Sequence, residues 1–425
     1  MSSTVMSRDL DQPPGPRPGH GRTLGSAAAR IRWDRAVSAV AMVLLGANQP
    51  LAAGATTATA IVVALLPVWF PTVRRSPGLA LLLLLVMVAV PAGLVLAWQV
   101  GPPAGRAWDL GIAVAAVLLL LTATGAIGLV VWSRTLLGTR ATALLLGAGL
   151  LLDGLQTVPG STNPWKYAIS LPLTVLLLAA VGRTSRILAP ALLAGLAAVG
   201  ILNESRSYAA FCILTAALLV WQGGLGRRRS RTKTLVVLGA AGLAAYQLGT
   251  ELLVPGYLGQ VLQERSVEQV RNAGSLIAGG RPEWAATAAL FRADPSGVGL
   301  GAVPSSLDLR TAKEGLAGVG IDGDNGYVNN YMFGGGFKLH SIVADLWVTF
   351  GIVGIVLGAV LVGLVVRALA TAVGGSGPEP VVVFLCLMSL WWLAFGPSHS
   401  NLPDLGVALG LASPLLPSVA RGRPA

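Results

Sequence analysis

Charge is what this chain of 425 residues has least of. Asp, Glu, Lys and Arg together make up 11% of it, against roughly 25% in an ordinary globular protein. With 54% hydrophobic residues beside that, a soluble globular domain and a chain disordered throughout are both excluded. Lysine is nearly missing, with 4 residues against 26 arginines. The two cysteines, Cys212 and Cys386, sit inside apolar runs without motif spacing, which argues against a disulfide framework and against a cysteine metal site. Histidine occurs three times. The net charge of +12 rides on a lipid-soluble body, so it reads as membrane topology and not as a nucleic-acid footprint.

What charge there is lies in clusters. Nine of the 48 charged residues fall in the first 35, and 15 fall between 255 and 340. The rest of the chain is built of apolar runs. A bilayer core of about 30 Å takes about 20 apolar residues per helix, fewer where a segment is buried among others. Twelve runs qualify: 36–53, 56–70, 78–100, 110–132, 141–155, 167–181, 187–202, 208–221, 234–253, 341–366, 381–395 and 405–416. The least secure division is the first, at Asn48, Gln49 and Pro50. Basic residues support it. Twelve passes place 20 Lys/Arg on one side and only Arg106, Lys166 and Arg206 in the short loops of the other. Merging the first two runs would put Arg227 to Lys233 on the wrong side.

The expected fold is therefore an all-α polytopic membrane protein. A disordered cytoplasmic tail (1–35) precedes nine transmembrane helices (36–254). A large, partly helical extracytoplasmic loop (255–340) separates helices nine and ten. Three more helices (341–419) and a short cytoplasmic tail (420–425) follow. The first apolar run has no small-residue cleavage site after it, so the tail does not read as a signal peptide.

The long loop is patterned for order. Residues 257–277 interleave Leu258, Val261, Leu262, Val267, Val270 and Leu276 with Gln260, Glu264, Arg265, Glu268 and Arg271, as an amphipathic helix does. A second helix is expected over 282–291, with Pro282 in its first turn. Gly297, Gly299 and Gly301 then alternate with other residues. No strand precedes them, so tight backbone packing is a better reading than a dinucleotide fingerprint. Asp322-Gly323-Asp324-Asn325-Gly326 has its glycine one position early for a calcium loop, and Phe333 stands where the bidentate acid belongs. Asp324, Asn325, Tyr327, Asn329, Asn330 and Tyr331 equally suit a sugar-binding turn.

His340 and His399 both fall at mouths of helices on the extracytoplasmic side, where a base active near neutral pH could meet a hydroxyl. Arg206 stands in a very short turn between two apolar helices. It either pairs with Glu204 or presents its donor fork to phosphate oxygens. Asp153, Glu251 and Asp345 are candidates to orient such groups.

Taken in order, Ser205-Arg206, the Arg281-x-x-Trp284 helix, Pro295-Ser-Gly297-Val-Gly299-Leu-Gly301, and His340 opening a helix that continues Gly351-Ile-Val-Gly354 resemble the O-antigen ligase and O-antigen polymerase superfamily. The motifs span about 234–366, and the remainder agrees by topology. The resemblance implies a metal-independent, inverting glycosyltransferase without cofactor. Its donor would be an oligosaccharide on undecaprenyl pyrophosphate and its acceptor a glycan or lipid hydroxyl. Arg206 and Arg281, with Ser205, would hold the pyrophosphate and His340 would serve the acceptor. Arg265, Arg271 and Arg292 are alternatives to Arg281. Two positions depart from the pattern of many members: Ser341 follows His340 where they have Asn, and Thr349 stands where they have Glu. A multi-pass transporter or lipid-linked glycan flippase is the competing expectation, although its ionisable residues would be looked for near mid-membrane.

Overall fold

The computed structural model describes residues 20–414 except 53, 183–186, 226–231, 376–378 and, within 234–258, positions 234–235, 238, 241, 244–246, 248–250, 252–253 and 258. Among the described residues the protein is all helical, with no β-strand. Helix α1 (His20–Ala47) is followed by α2 (Thr57–Ala64), α3 (Leu66–Arg74), α4 (Pro77–Val100), α5 (Leu110–Leu137), α6 (Thr139–Thr157), α7 (Ser170–Val181), α8 (Leu188–Leu202) and α9 (Arg206–Leu225). Segment 255–340 carries α10 (Gln260–Ala273), α11 (Leu276–Gly280), α12 (Glu283–Ala293) and α13 (Ser306–Ala317). Helices α14 (Ile342–Gly374), α15 (Pro380–Phe395) and α16 (Ser398–Ala412) close the bundle.

Among the described residues four helices are long and apolar enough to cross a membrane: α4, α5, α14 and the segment Thr139–Gly160. A fifth span results if α2 and α3 count as one. This supports fewer than half of the twelve expected spans. The cause is length. The runs expected at 167–181, 187–202, 208–221 and 381–395 form apolar helices of 10–17 residues. Such helices reach about 15–26 Å, short of a bilayer core of about 30 Å. The run at 234–253 lies largely outside the described residues. The run at 56–70 is bent by 77° between α2 and α3. Pro67 in the first turn of α3 cannot donate a backbone bond and crowds the preceding turn. The indole of Trp69 takes up the slack by donating to Val62 O at 2.7 Å. The first helix starts at His20, inside the segment expected to be disordered.

Helix α5 is the centre of the bundle, its midsection from Thr122 to Val131 continuously buried. Backbones approach closely where side chains are small. A Cβ on Gly149 would stand 2.2 Å from Val43 O, and one on Gly406 would stand 2.4 Å from Ala123 O. Small residues at such crossings are what apolar helices use when lipid offers no hydrophobic driving force for association.

Two of the attachments that fasten the loop segment to the bundle lie next to α4. Arg106, in the turn between α4 and α5, is only 5% exposed. Its Nε and Nη2 donate to the two Asp308 carboxylate oxygens at 3.0 and 2.7 Å, and Nη1 donates to Asp294 Oδ2 at 3.2 Å. Asp308 also caps α13 reciprocally with Ser305. The second fastening is the glycine-rich stretch. Val298 and Gly299 donate their N–H groups to Val348 O, at 2.8 and 3.0 Å, and Leu300 N donates to Gly93 O at 2.9 Å. Gly351 leaves helical geometry at this point (φ 59, ψ −137), which breaks α14 in its first third. Gly297, Gly299 and Gly301 all have positive φ. A Cβ on Gly299 would lie 2.3 Å from Ala97 N. The three glycines thus serve backbone packing.

The Arg106 cluster gives a stability prediction. Removing the guanidinium leaves two carboxylates facing each other, so Arg106→Ala costs about 3–5 kcal/mol. Thermal unfolding in detergent should show it as a lower Tm, and an unchanged Tm contradicts it. Burial opposes ionisation of Asp308, but hydrogen bonds from Arg106 and Ser305 outweigh it and hold the carboxyl below the usual range. Its contribution is therefore complete above that range and is lost as pH falls through the folded value. Tm should decline on acidification below about pH 4, and Arg106→Ala should flatten the decline.

Candidate functional site

At the end of the bundle where 255–340 sits, His340 occupies the turn that enters α14. Its φ of +54 is unusual for a residue with a side chain and is stored strain. Asp345 and Ser341 hold the turn through five hydrogen bonds. Asp345, one turn into α14, accepts from Leu339 N at 2.7 Å and from the backbone N and hydroxyl of Ser398 at 2.8 and 2.6 Å. Ser341 caps the helix by accepting from Ala344 N and donates to Leu393 O at 2.9 Å. Ser341 thus has a structural task, and Asp345 fixes the entrances of α14 and α16 together.

The imidazole is 10% exposed and packs among groups from three segments. Its Nδ1 lies 2.7 Å from Tyr327 Oη and 3.3 Å from Glu283 Oε1, and the Tyr327 hydroxyl donates to the same Glu283 oxygen. Tyr331 stacks on Tyr327, with ring centroids 5.6 Å apart, and meets His340 edge-on at 5.0 Å. Segment Tyr327–Met332 is wound as a π-helix, which places both tyrosines toward the histidine. Burial lowers the His340 pKa below its ordinary value; Glu283 pulls against this, while Arg281 and Lys338 reinforce it. The ring is therefore neutral near pH 7. Burial, and then the negative charge and hydrogen bond of Glu283, push the Tyr327 hydroxyl far up, so it stays protonated.

Arg281 lies just before α12. Its guanidinium rests 5.1 Å over the Trp391 ring and 5.9 Å from the centre of Phe395, both on α15. A guanidinium stacked by its face keeps its in-plane N–H donors for an anion. Trp284, three residues on, donates its indole N–H to Ala394 O at 2.8 Å and fixes the start of α12 against α15. Arg206 opens α9, and its Nη1 donates to Ser266 Oγ of α10 at 3.2 Å. Phe211, further along α9, meets Trp391 with ring centroids 5.5 Å apart. Helix α9 therefore touches, through Phe211, the aromatic wall over which Arg281 rests.

The other expected residues are less central. Ser205 is buried behind Arg206, its N–H donating to Gly200 O at 2.8 Å. Arg292 is exposed on the last turn of α12. It stands nine residues beyond Glu283, about 13 Å along the axis, and so is not brought to His340. The Arg265 side chain lies outside the described residues, and Arg271 is exposed. Asp153 accepts from Gln49 Nε2 at 2.8 Å, within the bundle, and Glu251 is exposed. The Asp322–Gly326 run is occupied with itself and a lysine. Asp322 accepts from Asp324 N, Asn325 accepts from Val328 N, and Lys313 pairs with Asp324 at 2.5 Å. Among the described residues no three His, Cys, Asp or Glu side chains gather as a metal site.

Glu283 is the residue the sequence reading missed. Its signal was its place between Arg281 and Trp284. A cavity of about 540 Å³ lies beside the His340 turn, between α2, α5 and α16, with Lys338, His399, Asp109 and Thr122 in its walls. His340 itself does not line it. Tyr331 bridges the two, with its ring 6.4 Å from His399. No family model, curated protein or solved structure matches the chain.

The strain at residue 340 is testable without any activity. Glycine adopts a positive φ at no steric cost, whereas alanine does not, so His340→Gly should be more stable than His340→Ala by about 1 kcal/mol. Equal Tm values for the two variants would remove the strain from the account.

Proposed function

We propose that the protein is a glycosyltransferase of the cytoplasmic membrane. It would move an oligosaccharide from an undecaprenyl-pyrophosphate donor to an acceptor hydroxyl, without a metal, in surface polysaccharide synthesis. The observation that carries the reading is His340, a residue held at positive φ whose ring Nε2 is buried without a hydrogen-bond partner among the described residues, next to a guanidinium laid on an aromatic wall. In this reading the acceptor oxygen bonds to the anomeric carbon while its proton passes to His340. The bond from that carbon to the pyrophosphate oxygen breaks, and its electron pair leaves with the pyrophosphate. Arg206 and Arg281 stabilise that growing charge, as preorganised donors do in a site that excludes water. A single displacement inverts the sugar carbon.

The reading includes the topology on which it depends. Twelve passes, with both termini cytoplasmic, place 255–340 outside, and the bias of 20 basic residues supports that side assignment. The short helices then cross as buried members of the bundle.

The test is transfer by the purified protein in liposomes supplied with a lipid-pyrophosphate oligosaccharide. Extended or transferred glycan and free carrier should appear. His340→Ala and Arg206→Ala should each lower the rate at least about 10²-fold with the protein still inserted, and a chelator should leave the rate unchanged. Donor that stays intact, with no carrier released, would sink the enzyme reading. The acceptor consumed, a second lipid-linked unit or another molecule, decides between polymerase and ligase.

A further inference from the structure

The hydrogen bonds around His340 determine where its proton sits. Tyr327 has a single hydroxyl hydrogen, and it is given to the Glu283 carboxylate. The 2.7 Å contact between Tyr327 Oη and His340 Nδ1 must then take its proton from the ring. Glu283 Oε1, 3.3 Å from the same nitrogen, is a second acceptor. A neutral imidazole has one N–H, so its lone pair falls on Nε2. That atom is buried and has no hydrogen-bond partner among the described residues, and the same holds for Glu283 Oε2. Leaving two such atoms unsatisfied is costly unless a ligand meets them.

We propose that Glu283 and Tyr327 are a positioning pair, which fixes His340 as the Nδ1–H tautomer and reserves Nε2 to take the proton of a sugar hydroxyl. The identity of that hydroxyl rests on the proposed function; the tautomer does not. When the acceptor oxygen attacks, its proton moves to Nε2 and the ring becomes an imidazolium. Glu283, 8% exposed, then faces a positive charge at short range and favours it. The proton leaves to solvent after the pyrophosphate has departed with the electron pair of the broken bond. The other groups facing the ring act in the opposite direction or are neutral. Arg281 precedes α12 and Lys338 belongs to the histidine's own turn, and both disfavour a positive ring; His399, approaching from α16, is kept neutral by burial, its pKa lowered to about 4. Tyr327 and Tyr331 are uncharged.

Two measurements on the full chain in nanodiscs test this. The first is ¹⁵N NMR with labelled histidine at mildly alkaline pH, with the His340 signal identified by its loss in His340→Gln. A protonated Nδ1 and an unprotonated Nε2 are expected. An Nε2–H tautomer overturns the proposal whatever the protein's activity. The second is the pH profile of transfer. Glu283→Gln withdraws the charge that favours the imidazolium, so the acid limb should move about one unit lower and the plateau should fall about 10²-fold. Glu283→Asp should restore part of both. Tyr327→Phe should lower the plateau about 10-fold and keep the wild-type acid limb, because the charge of Glu283 remains. A Glu283→Gln enzyme that is slower but has an unmoved acid limb shows a merely structural glutamate and overturns the pairing. Wild-type transfer by His340→Ala would instead overturn the function reading and leave the tautomer standing.

Discussion

A carbonyl released from a helix inside an apolar bundle has to find a donor, and the rest of this structure is arranged around one such group. Where α14 breaks at Gly351, Val348 O is met by two N–H groups of the glycine-rich stretch, Val298 and Gly299. An unsatisfied backbone group at this depth costs several kcal/mol. The stretch can reach it only because Gly297 and Gly299 have positive φ and no Cβ to strike Trp347 O or Ala97 N. The break in the span and the intrusion of the loop therefore require each other. Together they set the pose of residues 342–350, and hence of the turn that carries His340.

The site inherits this rigidity. Asp345 ties that turn to the start of α16, Trp284 ties α12 to α15, and the Arg106 cluster holds α13 and Asp294 to the turn between α4 and α5. These attachments maintain a positive φ at His340 and a buried Glu283 held by Tyr327 and the His340 ring, neither of which would persist in a loose loop. The proposed transfer needs few groups of this kind. The charges of 255–340 nearly cancel, with 7 basic and 8 acidic residues, so phosphate would be recognised by placed arginines and not by a diffuse field.

Much of this was legible in the sequence, for physical reasons. Scarce charge and long apolar runs gave the helical membrane class, and the alternation at 257–277 gave α10, although Gly274 in the left-handed region ends that helix early. Gly297, Gly299 and Gly301 were read as backbone packing, which is how they are used. Span number was less legible. Hydropathy marks where a segment prefers lipid, whereas helix length depends on Pro67, on short turns and on partners in the bundle. The pairing of Glu283 with His340 was hidden because the two stand 57 residues apart and only the packing of α12 against the α14 entrance joins them. Arg292 shows the converse: it is close to Arg281 in sequence, yet it sits at the far end of the same helix.

The account stands most directly on the bond that breaks. A lipid-pyrophosphate donor carrying ¹⁸O in the oxygen between the sugar and the phosphorus, turned over once by the reconstituted protein, reports that bond. Displacement at the sugar carbon predicts ¹⁸O retained in the released carrier pyrophosphate and an inverted linkage in the product. Label found in the glycan, a retained configuration, or no carrier released would contradict it.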